Sequence, residues 1–179
     1  CQSPEEPVPS KDSNVWRAEL TIGEEKLPFI IADSGAYWVI KNGAEEIKLT
    51  ALRQQSDSIY AQLPAHNTIF SLKQIHADTL RGQWTDLNRK DYHIPLELVR
   101  GVSERFDLAS PTTTNLAANN WHTIFGKDSS TWDAIGIFDQ QDAKVTGTFI
   151  TETGDFRFLA GVVDNDQLKL STFDGAHAF

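Results

Sequence analysis

The last stretch of the chain, residues 145–179, constrains the fold more than any other. Short runs rich in β-branched and aromatic residues occupy Val145–Thr151, Phe156–Val163 and Leu168–Phe173. Between them stand Thr153-Gly154-Asp155 and Asp164-Asn165-Asp166, residue types that accept the positive φ angles of tight turns. The pattern predicts an antiparallel meander.

Apolar and polar residues alternate along these runs. In the second run, Phe156, Phe158, Ala160 and Val162 occupy alternate positions. Because successive side chains of a strand point to opposite faces of the sheet, we expect these four on one face. At least one face of the meander is therefore predicted to be buried.

Similar runs fill the chain upstream, beginning with Val15–Ile22, where apolar and polar residues alternate. Further runs lie at Leu27–Ala32, Tyr37–Ile40, Ile47–Leu52, Ile59–Leu63, Thr68–Ile75, Thr79–Thr85, Tyr92–Arg100, Trp121–Phe125 and Ala134–Phe138. None has the sustained spacing of three and four residues that predicts a helix. Pro28 indicates a strand start or an edge, since it cannot donate to a ladder. Glu104–Asn120 is the one long irregular stretch, with room for a short helical turn.

About ten or eleven short strands joined by tight turns are typical of an antiparallel up-and-down barrel, closed or nearly closed, with lipocalins and avidin as analogues. Closure also removes exposed strand edges. We therefore predict an all-β fold in which residues 15–179 form a single barrel domain. A β-sandwich is the second choice.

A short internal echo accompanies this pattern. Residues 80–84 and residues 145–149 both read apolar, any residue, Gly, any residue, aromatic. The spacing is too irregular for a propeller, so we interpret the echo as reuse of one strand pattern or at most an old duplication.

Charge and length exclude two classes of function. The chain has a formal net charge of −9, and its 16 basic residues are scattered along the sequence, with only Arg89 and Lys90 adjacent, so a nucleic-acid surface is not expected. No apolar run approaches the roughly 20 residues that a membrane-spanning helix needs.

The first residue, Cys1, is the only cysteine, and the chain contains no methionine. A chain without an initiator is processed or excerpted, and a first-position cysteine is where bacterial lipoproteins carry their lipid. Residues 2–14 are polar and Pro-rich, as expected of a disordered tether. We therefore predict a domain that is tethered to a membrane by lipid on Cys1 and located at the cell envelope rather than in the cytoplasm.

The sequence offers few candidates for catalysis and predicts no catalytic residue, cofactor or metal site. Five scattered histidines lack metal-ligand spacing, and no nucleophile elbow or phosphate-binding glycine loop is present. An active site at a barrel mouth would involve Glu152, Arg157 and His177, with Asp174 as a possible partner of the histidine. Each of these residues also has an ordinary interpretation as a turn or surface residue.

The five tryptophans allow two interpretations. They either line a cavity for a small apolar ligand, with Trp121 as the residue to test, or fill a small barrel as core. The second interpretation is the more common one for aromatic residues in a small barrel.

The motifs of the last third resemble a known family. The segments Gly147–Gly161 and Leu168–Phe179, preceded by Ala134–Phe138, look like the N-terminal region of bacterial TlpA-like, redoxin-type thiol–disulfide oxidoreductases that are lipoproteins. Trp16–Leu20 and Tyr92–Leu96 fit the same region more loosely.

The resemblance implies a non-catalytic module, acting as a spacer or in partner selection. In that family a thioredoxin-like domain with a Cys-x-x-Cys pair follows the β-rich region and carries the redox chemistry. Such a domain is absent from residues 1–179, so the resemblance implies an excerpt of a longer chain. Only Cys1 carries over, as the anchor. The alternative is a free-standing lipocalin-like carrier of a small apolar ligand.

Overall fold

The computed structural model describes residues 13–63, 65–109 and 114–179, apart from the side chains of Ala51, Lys127 and Arg157. The described residues form an all-β fold, as predicted, and contain no helix, so no helix among them is available to cross a bilayer. Their thirteen strands are β1 Val15–Ile22, β2 Glu25–Asp33, β3 Trp38–Asn42, β4 Glu45–Gln55, β5 Ser58–Leu63, β6 Thr68–His76, β7 Thr79–Asp86, β8 His93–Arg100, β9 Asn120–Lys127, β10 Ser130–Gln141, β11 Lys144–Thr151, β12 Gly154–Asp164 and β13 Gln167–Ser171.

The first eight strands form a closed antiparallel barrel, which confirms the predicted barrel fold. Each strand pairs with its neighbour in sequence, and β1 also pairs with β8, so that Trp16 lies between Ile31 of β2 and Arg100 of β8. Closure leaves these strands without an exposed edge.

The last five strands form a separate antiparallel sheet in the order β13-β12-β11-β10-β9. The predicted meander is therefore correct for residues 145–171, but these strands lie beside the barrel rather than in its wall. The barrel accounts for residues 15–100, and the irregular stretch that follows β8 connects it to the sheet.

A bulge in β12 overturns one predicted alternation. Phe158 has a φ of 57°, and the register with β11 shifts between Gly147 and Phe149. Phe156 pairs with Phe149 and Leu159 pairs with Gly147, so Phe156 and Leu159 share one face. Ala160 lies on the opposite face. The extra residue at the bulge changes the phase of the alternation, and the expected common face of Phe156, Phe158, Ala160 and Val162 is therefore wrong.

Side chains fill the barrel interior. Trp16, Phe29, Phe70 and Trp84 are almost fully buried, and the rings of Trp16 and Trp38 lie 6.2 Å apart. The three tryptophans of the barrel are thus part of its core. The other two, Trp121 and Trp132, belong to the five-stranded sheet.

The residues after β13 close one end of the barrel. Phe173 is fully buried there, with its ring 4.7 Å from that of Phe29 and 5.9 Å from that of Trp84. The carbonyl of Gly175 accepts hydrogen bonds from Trp84 Nε1 at 3.1 Å and from Thr68 Oγ1 at 2.7 Å. We call residues 172–179 the plug.

Arg105 joins the barrel, the sheet and the loop between them. Its guanidinium donates to the carbonyl of Pro28 in β2, to the carbonyl of Lys41 and the side chain of Asn42 in β3, and to the carbonyl and hydroxyl of Ser171 in β13. Pro28, predicted to mark a strand start or an edge, is the fourth residue of β2 and pairs with Glu19 of β1, whereas the register of β3 with β2 begins only at Ile30.

The sheet has its own smaller core on one face. Phe138, Val145, Leu159 and Val163 are buried there, and Leu116 from the connecting stretch packs against them. That stretch shows no helical turn in its described part, and Ser110–Thr113 lie outside the described residues. The predicted tether, residues 1–14, also lies almost entirely outside them.

Candidate functional site

Three concavities in the described residues are large enough to hold a small molecule. The first, of about 450 Å³, is the barrel mouth opposite the plug. Its inner wall is apolar, with Trp16, Leu52 and Leu80, whereas Asp33 and Arg100 stand at the ends of inward-facing rows. The guanidinium of Arg100 lies 4.2 Å from the ring of Trp16, and Trp16 Nε1 donates to Asp33 at 3.1 Å. The mouth is therefore a polar rim over a packed floor.

The second concavity is the largest of these three, at about 970 Å³, and we call it the junction groove. It runs between the barrel and the sheet and is lined by apolar side chains that include Ile30, Phe106, Leu108 and Val162. Charged side chains of both signs stand around them: Lys41, Glu104, Arg105, Asp107, Asp142 and Lys144. An apolar floor with a few polar groups at an interface between structural units is typical of ligand sites.

The third concavity, of about 480 Å³, lies between the plug and the turn that joins β11 to β12. His177 and Asp174 line it from the plug, and Thr153 and Asp155 from the turn. His177 Nδ1 lies 2.9 Å from Asp174 Oδ2, so the histidine–aspartate pair considered from the sequence is present.

Asp174 organises the turn of the plug. Its Oδ1 accepts from the backbone N–H of Ala176 at 2.8 Å and of His177 at 2.7 Å. Burial acts to raise the pKa of the Asp174 carboxyl, but the hydrogen bonds and the charge of the neighbouring His177 and the bond from Ala176 outweigh it. The pKa therefore lies below its ordinary value.

The other predicted site residues whose side chains the structure describes, Glu152 and Trp121, are not grouped around this pair. Glu152 lies in the turn after β11 and is exposed, and Arg157 lies in β12 with its side chain outside the described atoms. Trp121 lies on β9, where its Nε1 donates to the carbonyl of Ala118 at 2.6 Å. Neither Glu152 nor Trp121 lines the third concavity, and Cys1 lies outside the described residues.

Metal ligands are not clustered in the part of the chain that the structure describes. No group of three or more His, Cys, Asp or Glu side chains there is placed to hold a metal ion. The histidines nearest to each other by ring contact, His66 and His177, have their centroids 6.3 Å apart at an edge-to-face angle. This geometry is that of a ring contact rather than a shared ligand.

Sequence reasoning missed Arg105 and the polar rim of the barrel mouth. Arg105 follows no strand pattern, and its acceptors come from residues 63 to 77 positions away in sequence, so nothing local identifies it. The rim could have been predicted from the alternation in β2, because Asp33 occupies the next inward-facing position after Ile31. A polar residue that ends an apolar inward row points to a barrel mouth.

Comparison with known proteins adds no relative: no protein-family model, no curated protein and no solved structure matches this chain.

Proposed function

We propose that this chain is the non-catalytic N-terminal module of a membrane-anchored thiol–disulfide oxidoreductase of the TlpA-like, redoxin type. Lipid on Cys1 holds it at the cell envelope, and the module separates a thioredoxin-like domain from the membrane or selects its partner. The proposal rests first on the sequence resemblance over Gly147–Gly161 and Leu168–Phe179.

One structural observation supports this choice. The segment Leu168–Phe179, in which the resemblance is strong, contains both β13 and the plug. In this segment the ring of Phe173 lies in the barrel core, and the carboxylate of Asp174 accepts the backbone hydrogen bonds of the turn. The carbonyl of Gly175 accepts a hydrogen bond from Trp84. A segment with these constraints is under pressure to keep its sequence, so a resemblance at these positions carries more weight than one on an exposed strand.

The anchor is tested by fractionating cells that express the native gene. We expect the protein in the membrane fraction, with a mass above the 20.0 kDa of the polypeptide by the mass of the acyl groups. The variant Cys1→Ala should move to the soluble fraction. Wild-type protein that is soluble and unmodified would contradict the anchor.

The redox part is tested on the gene and on the native chain. The reading frame past Phe179 should encode a Cys-x-x-Cys motif in a βαβ context, and the native protein should reduce the disulfides of insulin with dithiothreitol as the electron donor. Replacing both of those cysteines by serine should abolish the reduction. A stop codon directly after Phe179 would remove the oxidoreductase proposal and leave the carrier.

The second candidate function is the carrier, a binder of a small, largely apolar ligand, and the junction groove favours it. The barrel interior is filled by its own core, and of the three concavities described above the groove beside Phe106 and Leu108 has the largest volume. Its volume is close to the upper end of the range that small-molecule sites occupy, roughly 300–1,000 Å³.

The probe 8-anilinonaphthalene-1-sulfonate tests the groove. We expect saturable fluorescence enhancement with the wild type and affinity lower by about tenfold in Leu108→Asp, because a charge replaces an apolar contact. The control is Leu87→Asp. Leu87 and Leu108 are similarly exposed, at 49% and 44%, but Leu87 does not line the groove. Equal affinity of both variants, or no saturation, would exclude the groove as the site.

A further inference from the structure

One face of the five-stranded sheet exposes large apolar side chains. Ile124 of β9, Ile135 and Ile137 of β10, and Ile150 of β11 are 62%, 52%, 41% and 44% exposed. Ile135 lies directly opposite Ile150, and the others lie on the same face by the strand registers. A contiguous exposed isoleucine patch on three adjacent strands is unusual for a surface that faces only water.

The opposite face is also apolar near the same edge. Trp121 on β9 is 38% exposed and Trp132 on β10 is 50% exposed, and Phe125 stacks on Trp132 with ring centroids 5.8 Å apart. Both sides of the sheet at the β9 edge therefore present side chains that burial would stabilise.

The edge strand itself is open. Among the described residues β9 pairs only with β10, through eight consecutive residue pairs from Asn120 to Lys127. Every second residue of an edge strand directs its N–H and C=O away from the sheet, so β9 offers a row of hydrogen-bonding groups to another strand.

β9 has few of the devices that usually protect an edge, and its one lysine, Lys127, is its last residue. Its sequence N-W-H-T-I-F-G-K contains no proline and no carboxylate. The other edge strand, β13, is five residues long and lies against β2 of the barrel, and its Ser171 is held by Arg105. Among the described residues, one edge of the sheet is therefore covered by the barrel and the other is open to a further strand.

We propose that β9 pairs antiparallel with β9 of a second copy of this chain, across a two-fold axis at Thr123. The two sheets then continue as one ten-stranded sheet. In this register Thr123 faces Thr123 of the second copy, a pair that hydrogen-bonds across strands. Trp121 faces Phe125 on the aromatic side, and Ile124 faces His122 on the isoleucine side.

The self-complementarity of this register favours a second copy over an unrelated strand. A two-fold axis uses one surface twice, so each favourable cross-strand pair occurs twice. The aromatic pair and the isoleucine contact extend the apolar rows that already run through Ile135 and Ile150 on one side and Phe149 on the other.

Charge supports the same contact. The chain as a whole carries a net charge of −9, which opposes self-association over most of its surface. At β9 no carboxylate faces a carboxylate. His122 Nε2 lies 2.7 Å from Asp133 of its own chain. In the proposed register His122 faces Ile124 of the second copy, which in turn pairs with Asp133 of that copy. Pairing β9 with β9 therefore brings no two carboxylates of these strands together.

The oligomeric state tests the proposal. Light scattering of the native chain behind size exclusion should give the mass of a dimer, and Ile124→Lys should give a monomer because it places two charges beside the axis. Ile75→Lys is the matched control, since Ile75 is 42% exposed on the barrel, and it should remain dimeric. A monomeric wild type would overturn the proposal, as would a dimer that Ile124→Lys leaves intact.

The register is tested by a disulfide. In a Cys1→Ser background, Thr123→Cys places two thiols opposite each other at the Cα separation that a disulfide accepts. With oxidised glutathione as the oxidant, we expect a covalent dimer, whereas Ile75→Cys should remain monomeric on a denaturing gel. A dimer in solution without cross-linking at Thr123 would overturn this register.

Discussion

At the scale of single residues, Arg105 has the least ordinary environment. Its side chain is buried, and its five hydrogen-bond acceptors among the described residues are carbonyl, amide and hydroxyl oxygens rather than carboxylates. Burial therefore lowers the pKa of the guanidinium to about 10. The charge is retained at neutral pH because several polarised oxygens replace its hydration.

Replacing Arg105 should destabilise the whole fold. Arg105→Leu leaves the carbonyls of Pro28 and Ser171 without this donor, and we expect a loss of about 3 kcal/mol or more in the free energy of unfolding by urea titration. Arg81→Leu is the control, because Arg81 pairs with Glu97 on the exposed barrel surface and should cost at most about 1 kcal/mol. Equal losses would refute the bridging role of Arg105.

Asp174 gives the fold a predicted dependence on pH. Its carboxyl pKa is lower in the folded state than in the unfolded state, so the unfolded state binds more protons as the pH falls. The stability that it contributes is present above its ordinary pKa of about 3.9 and is lost as the pH falls through the lower folded value.

The variant Asp174→Asn keeps an acceptor for the two backbone N–H groups but loses the charge facing His177. In urea titrations we expect it to be less stable than the wild type at pH 7, with a smaller difference at pH 3. Asp139→Asn, at an exposed position of β10, should show a smaller difference at pH 7. A difference for Asp174→Asn that grows on acidification would contradict the assignment.

At the scale of elements, the plug is the feature that completes the barrel core. Phe173→Ala removes a ring that contacts Phe29, Phe70 and Trp84, and we expect a loss of about 3–5 kcal/mol in the free energy of unfolding. Phe179→Ala, six residues further on, removes a half-exposed ring stacked on Phe156 and should cost about 1 kcal/mol. Thermal or urea unfolding measures both. If the two losses were similar, Phe173 would not act as core.

At the element scale, the buried face of a strand was predictable wherever apolar and polar residues alternate without interruption. In β1 the buried positions are Trp16, Ala18 and Leu20, as the alternation indicates. In β12 the bulge at Phe158 shifts the phase, and only the partner strand determines where a bulge lies. Local pattern alone does not contain that information.

The internal echo of residues 80–84 and 145–149 has a structural reason. A Cβ on Gly82 would lie 1.9 Å from the carbonyl oxygen of Ser71, and one on Gly147 would lie 2.3 Å from that of Ile137. In both strands the neighbouring backbone approaches too closely for a side chain. The shared glycine therefore reports a shared packing constraint and does not require a duplication.

At the scale of the molecule, the sequence predicts a barrel but does not predict which strands belong to it. The strand at which the barrel closes depends on β1 pairing with β8 rather than with a later strand, and this pairing joins residues about eighty positions apart. The long irregular stretch after Arg100 was the available sign that the chain leaves the barrel. Among the candidate site residues that the structure describes, His177 and Asp174 form the pair considered from the sequence.

Because the plug closes the barrel and Arg105 bonds to both the barrel and β13, we expect the barrel and the sheet to unfold as one cooperative unit. The direct test is urea unfolding of the variant Trp121→Phe with Trp132→Phe, whose remaining tryptophans all lie in the barrel. Fluorescence then follows the barrel alone, and far-ultraviolet circular dichroism follows all strands. We predict one transition, with the same midpoint by both measurements. A circular-dichroism transition that precedes the fluorescence change would show that the sheet unfolds separately, and would contradict the coupling of barrel and sheet.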